Sequence, residues 1–221
     1  MPDLILYHMP GACSRVTLIA LEEAGIDYED RGVALLRGAQ REPAYLAVNS
    51  RGKVPSLAVD GAVITESPVI LSYLAKRHPE ARLLPTTGDP IADLAGLSDL
   101  IWCAGTLHPL AHRVFRPDSY TTGQSAGVAE VAIEQLGVLA GWISNRIAPD
   151  TWWYGAEWSI VDTYMAWCFA LAAQFGFPIV SYPAIEALRH RIEARPSFKK
   201  MQRRERAAIE RDGLVVPSWY S

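Results

Sequence analysis

Cysteine is scarce in this chain of 221 residues: only Cys13, Cys103 and Cys168 occur. They are odd in number and far apart, which fits neither a disulfide framework nor a zinc spacing and suits reduced thiols in a cytoplasm. No run of eighteen apolar residues is present, so no membrane span is expected. The start, Met1-Pro2-Asp3-Leu4, shows neither a basic n-region nor a small-residue cleavage site, so no secretory signal is expected. There is no excess of positive charge either: the net charge of −3 argues against a nucleic-acid binder. The one basic run, Lys199-Lys200 through Arg203-Arg204 and Arg206, is interleaved with Glu205 and Glu210 and reads as a solvated helix face. Internal repeats and low-complexity tracts are also missing.

What remains is ordinary globular composition, 50% hydrophobic and 20% charged, in a length that suits two small cores. The first eighty residues alternate between strand and helix signals. Leu4 to His8 reads as a strand, and a helix follows from Ser14 with Gly25 as its stop. Tyr28 to Leu35 reads as a second strand, and Glu42 to Ala47 allows only a short helix. Ser56–Val59 and Ala62–Thr65 flank Asp60-Gly61, a hairpin turn. Ser67 then reads as an N-cap with Pro68 in the first helical position, opening a helix to about Arg77. The order β-α-β-α-β-β-α is that of a compact layered unit over residues 1–79. Punctuation by His78-Pro79, Pro85, Gly88 and Asp89-Pro90 marks a linker over 80–89. Beyond it, residues 90–221 carry helical patterns only, at about 90–115, 124–147, 159–175, 183–194 and 197–211. Ser159-Ile160-Val161-Asp162 has the form of a capping box.

Cys13 is the residue with most chemical content. It follows the Pro10-Gly11 break at the junction of strand and helix, where unpaired N–H groups and the helix dipole favour negative charge. A thiol so placed is expected to have a lowered pKa and a larger thiolate fraction. The plain alternative is a small buried hydrophobe in a first loop.

Four features in order carry a family resemblance over essentially the whole chain: Pro10-Gly11-Ala12-Cys13-Ser14, Gly52-Lys53-Val54-Pro55, Thr65-Glu66-Ser67 and Ser159-Ile160-Val161-Asp162. With the β-α-β-α-β-β-α order they make the chain resemble the cytosolic glutathione S-transferases. Cys13 together with His108 points towards the bacterial, Beta-like members. The resemblance implies a thioredoxin-like N-terminal domain that holds glutathione, an all-helical C-terminal bundle that helps hold a small hydrophobic electrophile, and a homodimer with a role in detoxification. No metal is implied.

Each motif answers a physical need. An X–Pro bond can be cis at modest cost, and by resemblance Val54, ahead of a cis Pro55, offers its N–H and C=O like a free strand edge to a peptide-like ligand. Ser67, at a helix N-terminus, would take the γ-glutamyl carboxylate, with Glu66 facing the ligand's ammonium. Lys53 and Arg37 are candidates for the glycine carboxylate; the plain alternative is that both are solvated. Pro109 cannot donate to the carbonyl of Gly105, so the first long helix should bend there, tipping His108 towards the thiol as a hydrogen-bond partner or proton carrier near the sulfur. His112 follows at i+4, but no third ligand is evident and a metal is not expected. Phe115 and Tyr120 are candidates to line the electrophile pocket, whereas Trp152-Trp153-Tyr154 and Trp158 read as core.

Three functions are compatible with this set. In the first, a glutathione thiolate held at the start of the first helix by Cys13, or by Ser14, attacks an electrophile. In the second, Cys13 works as a monothiol in glutathione-dependent disulfide reduction, since Cys13-Ser14-Arg15-Val16 has no second cysteine. In the third, the fold is retained as a non-catalytic ligand carrier.

Overall fold

A computed structural model describes residues 4–147, 151–216 and 220. The chain divides into two compact units, residues 1–83 with 195–221, and residues 84–194. The first unit holds a four-stranded sheet in the order β2-β1-β3-β4, built from β1 (Leu4–His8), β2 (Glu29–Gly32), β3 (Ser56–Val59) and β4 (Ala62–Thr65). β2 runs parallel to β1, and β3 runs antiparallel to both β1 and β4. The parallel pair requires a crossover, supplied by α1 (Ser14–Ala24). The antiparallel hairpin closes on Asp60 and Gly61, both at positive φ, as a two-residue turn with the twist of its strands demands. α1 and α3 (Ser67–Arg77) bury Val16, Leu18, Ile19, Ile70, Leu71 and Leu74 together with Leu6 and Leu57 of the sheet. This is the thioredoxin-like arrangement that the resemblance implied.

Several expectations shift in detail. Gly25 caps α1 in the left-handed conformation, as expected. β2 is shorter than the expected Tyr28 to Leu35, because Leu35–Arg37 and Ala39–Arg41 coil into 3-10 turns ahead of the brief α2 (Pro43–Leu46). The N-cap of α3 is Glu66, not Ser67: Glu66 takes φ 69°, which puts Ser67 and Pro68 both inside the first turn.

The largest correction concerns the C-terminal segment. The sequence placed all of 90–221 in a helical domain, but α9 (Pro196–Asp212) belongs to the first unit. Electrostatics explain why. Arg204 and Arg211 reach Asp30 at 3.2 and 3.0 Å, and Arg195 pairs with Glu23 at 2.7 Å. At the edge of the sheet, Arg211 donates to the Asp30 carbonyl and the Gly32 N–H donates to Asp212, at 2.7 and 2.8 Å. The free edge of β2 is thereby covered. The basic run is thus only half solvated: Lys199, Lys200, Arg203 and Arg206 are exposed, while Glu205 is completely buried.

The second unit contains α4 (Leu94–Trp102), α5 (His108–Phe115), α6 (Ala126–Arg146), α7 (Ile160–Gln174) and α8 (Pro183–Ala194). A π-helical turn, Cys103–Leu107, separates α4 from α5. It lies where Pro109 withholds its N–H from Gly105. α7 begins with the expected capping box. Asp162, fully buried, accepts from the backbone N–H of Ser159 and of Trp153 at 2.9 and 2.7 Å and from the Ser159 hydroxyl at 2.7 Å. Of the aromatic cluster, Trp153 and Trp158 are core, buried with their indole N–H groups donating to Asp99 and Thr163, while Trp152 and Tyr154 are half-buried. α6 is apolar and long enough to cross a membrane by length and composition, with mean hydropathy 1.3 over its best window. Glu130 and Glu134 interrupt it, and Val131, Val138 and Trp142 stand exposed on it.

Candidate active site

The loop from β1 to α1 is built by its sequence. Pro10 and Gly11, the latter at φ 81°, occupy the central positions of a turn closed by Ala12 N–H donating to the Met9 carbonyl at 3.1 Å. Ser14 locks the same residue: its hydroxyl donates to the Met9 carbonyl at 3.1 Å and accepts from the Met9 N–H at 3.2 Å. Ser14 is fully buried, so its one proton is committed to the backbone. The serine route considered from the sequence has no hydroxyl to offer a ligand in this arrangement.

Cys13 sits at the N-cap of α1 and is partly exposed, whereas Cys103 and Cys168 are buried. Its thiol donates to the Val54 carbonyl at 3.5 Å. The expected lowered pKa is not what the surroundings produce. Burial of the sulfur pushes the thiol up to about 11, outweighing the amides of Cys13 and Ser14, the charge of Lys53 and a hydrogen bond with Ser67, which all act to lower it. The helix start does favour the anion, as the sequence argued, but desolvation wins.

Opposite the thiol, the Val54–Pro55 peptide is cis. It is clamped from behind, because the Lys53 carbonyl accepts from the Tyr45 hydroxyl at 2.6 Å and from the Asn49 amide at 2.9 Å. The Asn49 amide also donates to the Ser56 hydroxyl at 3.0 Å, and that hydroxyl lies 3.0 Å from the Tyr45 hydroxyl. Gly52 enters this clamp at φ 60°, and a Cβ there would lie 2.8 Å from the Gln40 carbonyl. The Val54 N–H has no partner among the described residues. Ser67 opens α3 beside the sulfur. Glu66 is exposed and pairs with Arg51 at 3.1 Å, and the same guanidinium donates to Thr65 at 3.1 Å.

Cys13, Val54 and Ser67 are therefore brought together, with Lys53 close enough for its charge to act on the thiol. Arg37 ends a 3-10 turn and is exposed. His108, Phe115 and Tyr120 belong to the second unit. There His108 Nδ1 lies 3.2 Å from the Tyr164 hydroxyl, and its ring is edge-on to Trp167 at 4.7 Å. Phe115 packs on Phe175, and the Tyr120 hydroxyl meets His112 Nδ1 at 3.0 Å. His112 is thus joined to an aromatic cluster. Among the described residues no group of three or more His, Cys, Asp or Glu side chains is placed to hold a metal ion.

Sequence reasoning passed over Tyr45 and Asn49, Arg51, and the pair Arg15–Glu205. The first pair had a signal, since two polar residues at i and i+4 stand just before Gly52-Lys53-Val54-Pro55. Arg15–Glu205 had none, being 190 residues apart.

Comparison with known proteins agrees with this arrangement. Residues 2–76 match the family described as glutathione S-transferase, N-terminal domain. The chain is 32% identical to a maleylacetoacetate isomerase of Pseudomonas aeruginosa, over 89% of this chain and 93% of that protein. Among solved structures it is similar to a bacterial beta class glutathione S-transferase of Sphingomonas chungbukensis, at 30% identity and a TM-score of 0.76 over 96% of this chain and 100% of that one. A sphingomonad glutathione S-transferase complexed with glutathione is 31% identical, with a TM-score of 0.76 and the same coverage of 96% and 100%. With the sheet order, the cis Val54–Pro55 peptide and the thiol at the start of α1, these likenesses show that the chain belongs to the glutathione S-transferase family.

Proposed function

We propose that this protein binds glutathione in its first unit and transfers it to a small hydrophobic electrophile. The observation that carries this reading is the convergence of the Cys13 thiol, the open Val54 N–H beside a cis proline and the Ser67 hydroxyl at the start of α3. A tripeptide fits these groups: its backbone pairs with Val54, its γ-glutamyl carboxylate meets the N-terminus of α3, and Glu66 takes its ammonium. Lys53 and Arg37 are assigned to the glycine carboxylate.

The raised thiol pKa gives Cys13 a definite part. With burial pushing it up to about 11, the Cys13 thiol stays protonated near pH 7. Cys13 is then a hydrogen-bond donor, and the nucleophile is the sulfur of glutathione itself. That sulfur loses its proton to solvent and accepts the Cys13 S–H in place of the Val54 carbonyl. It forms a carbon–sulfur bond while the electrophile's leaving group departs with its electron pair. His108 is assigned as a proton carrier, and Phe115 and Tyr120 to the electrophile. The exposed apolar side chains of α4 and α6 (Leu94, Ile101, Val131, Val138 and Trp142) fit a homodimer contact.

A second reading is favoured by the likeness to a maleylacetoacetate isomerase. There the same thiolate would add to a conjugated double bond, permit rotation and leave again, consuming no glutathione. Monothiol disulfide reduction is disfavoured by a protonated Cys13, because exchange requires a thiolate.

The experiment is calorimetric titration with glutathione, followed by three assays: conjugation of a chloronitrobenzene, isomerisation of a cis-dicarboxylic enone, and reduction of a mixed disulfide. Absence of glutathione binding overturns the proposal. Binding without turnover in any assay leaves a carrier.

A further inference from the structure

Glu205 is the most completely engaged buried carboxylate outside the groups assigned above. It lies on α9, is 0% exposed, and points at the back of the loop that carries Cys13. One oxygen accepts from the Gly11 N–H at 2.9 Å. Arg15 grips both oxygens through Nε at 3.1 and 3.0 Å, and its Nη2 adds a contact at 2.9 Å. The Tyr220 hydroxyl donates to the second oxygen at 2.9 Å, and the Arg15 guanidinium lies over the Tyr220 ring at 5.1 Å. The residues held, Gly11 and Arg15, stand two positions before and two positions after Cys13.

A charge removed from water is strongly unfavourable unless paired and hydrogen-bonded. Pairing with Arg15 alone would satisfy the charge. The further bond to the Gly11 amide, at a positive-φ turn residue, does something else: it fixes the loop on both sides of the sulfur. We propose that Glu205 is a positioning residue for the thiol loop, a carboxylate supplied by the C-terminal helix that keeps Cys13 seated against Val54 and Ser67. This deepens the glutathione reading by naming what aims its sulfur donor, and it rests on Cys13 being that donor.

The test follows alkylation of Cys13 by iodoacetamide against pH, read by mass spectrometry of the Cys13 peptide, in wild type, Glu205→Gln and Arg211→Ala. Arg211→Ala loosens α9 at Asp30 without touching the loop and serves as the matched structural control. Burial is the largest influence on the thiol, so a loop released from Glu205 admits water to the sulfur. The alkylation midpoint of Glu205→Gln should fall, with about a tenfold faster reaction at pH 8 for each unit of the fall. Arg211→Ala should lower the melting temperature and leave the midpoint in place. A Glu205→Gln profile that superimposes on wild type overturns the proposal, as does an equal shift in Arg211→Ala. If Glu205→Gln does not fold, Arg15→Lys, which keeps the charge and breaks the two-pronged grip, carries the same prediction and the same power to refute. No glutathione enters this experiment, so a failure of glutathione binding would sink the proposed function and leave the positioning result standing.

Discussion

Cys13 shows how a correct local argument can give an incorrect titration. Its place at a helix start was legible from Pro10-Gly11 and the helical pattern after Ser14, and so were the amides that favour an anion there. What the sequence could not display was the enclosure of the sulfur by Val54 and Ser67, which come from segments more than forty residues away in the chain. The same limit hid the role of Ser14, whose hydroxyl bonds both backbone groups of Met9. Two outcomes follow at this scale. Cys13→Ser, which keeps a donor, should retain most conjugation activity at pH 7, while Cys13→Ala should lose at least about tenfold in kcat/KM, as expected for removal of one hydrogen bond to a charged sulfur; steady-state kinetics on both variants decide it. Ser14→Ala should lower stability by roughly 1–3 kcal/mol, since it strands buried backbone groups. Denaturant melts measure this, and glutathione affinity should stay close to wild type.

Among the elements, those with strong periodicity and clear punctuation were readable: β1, the β3–β4 hairpin, α1 to its Gly25 stop, and α7 with its capping box. Boundaries slipped where the backbone did something local sequence does not encode, as at Glu66, whose positive φ moves the start of α3 by one residue. α9 was legible as a helix and illegible as a neighbour, because its partners Glu22, Glu23 and Asp30 lie at the other end of the chain. Asp30 makes that neighbour relation testable. Burial works to raise its carboxyl, but hydrogen bonds from His8 and Arg211 and their charges outweigh it and hold the group well below the usual range. A depressed native pKa stabilises the fold above the unfolded value of about 3.9 and loses that stabilisation as pH falls below it. Asp30→Asn should therefore melt lower than wild type at pH 7, and the difference should begin to shrink once the pH falls below about 4 and go on shrinking with further acidification in thermal melts. At α7, Asp162→Ala should cost about 2–3 kcal/mol by leaving the Trp153 and Ser159 amides without an acceptor.

For the molecule as a whole, the division into a sheet unit and a helical unit followed from where strand signals stop, near residue 80. The return of 195–221 to the first unit did not. Charge patterning alone reads Arg204 and Glu205 as solvated, since an exposed amphipathic helix and one docked by ion pairs have the same composition. A chain ending at Ala194 is expected to keep the helical unit and lose the sheet unit's resistance to proteolysis, because the edge of β2 and the base of the thiol loop are uncovered together. Limited proteolysis with mass mapping tests this. Size-exclusion chromatography with light scattering should find a homodimer, and Val138→Glu on the exposed face of α6 should shift it towards monomer.

The span of 194 residues between Gly11 and Glu205 also has a consequence for synthesis. Segments usually fold in the order in which the ribosome releases them. Here the later unit is contiguous, so it can reach its final form while the earlier one still waits for its closing helix. Until α9 has emerged from the ribosome, the loop that carries Cys13 lacks its Glu205 anchor, so the sheet unit completes its thiol loop later than its own strands.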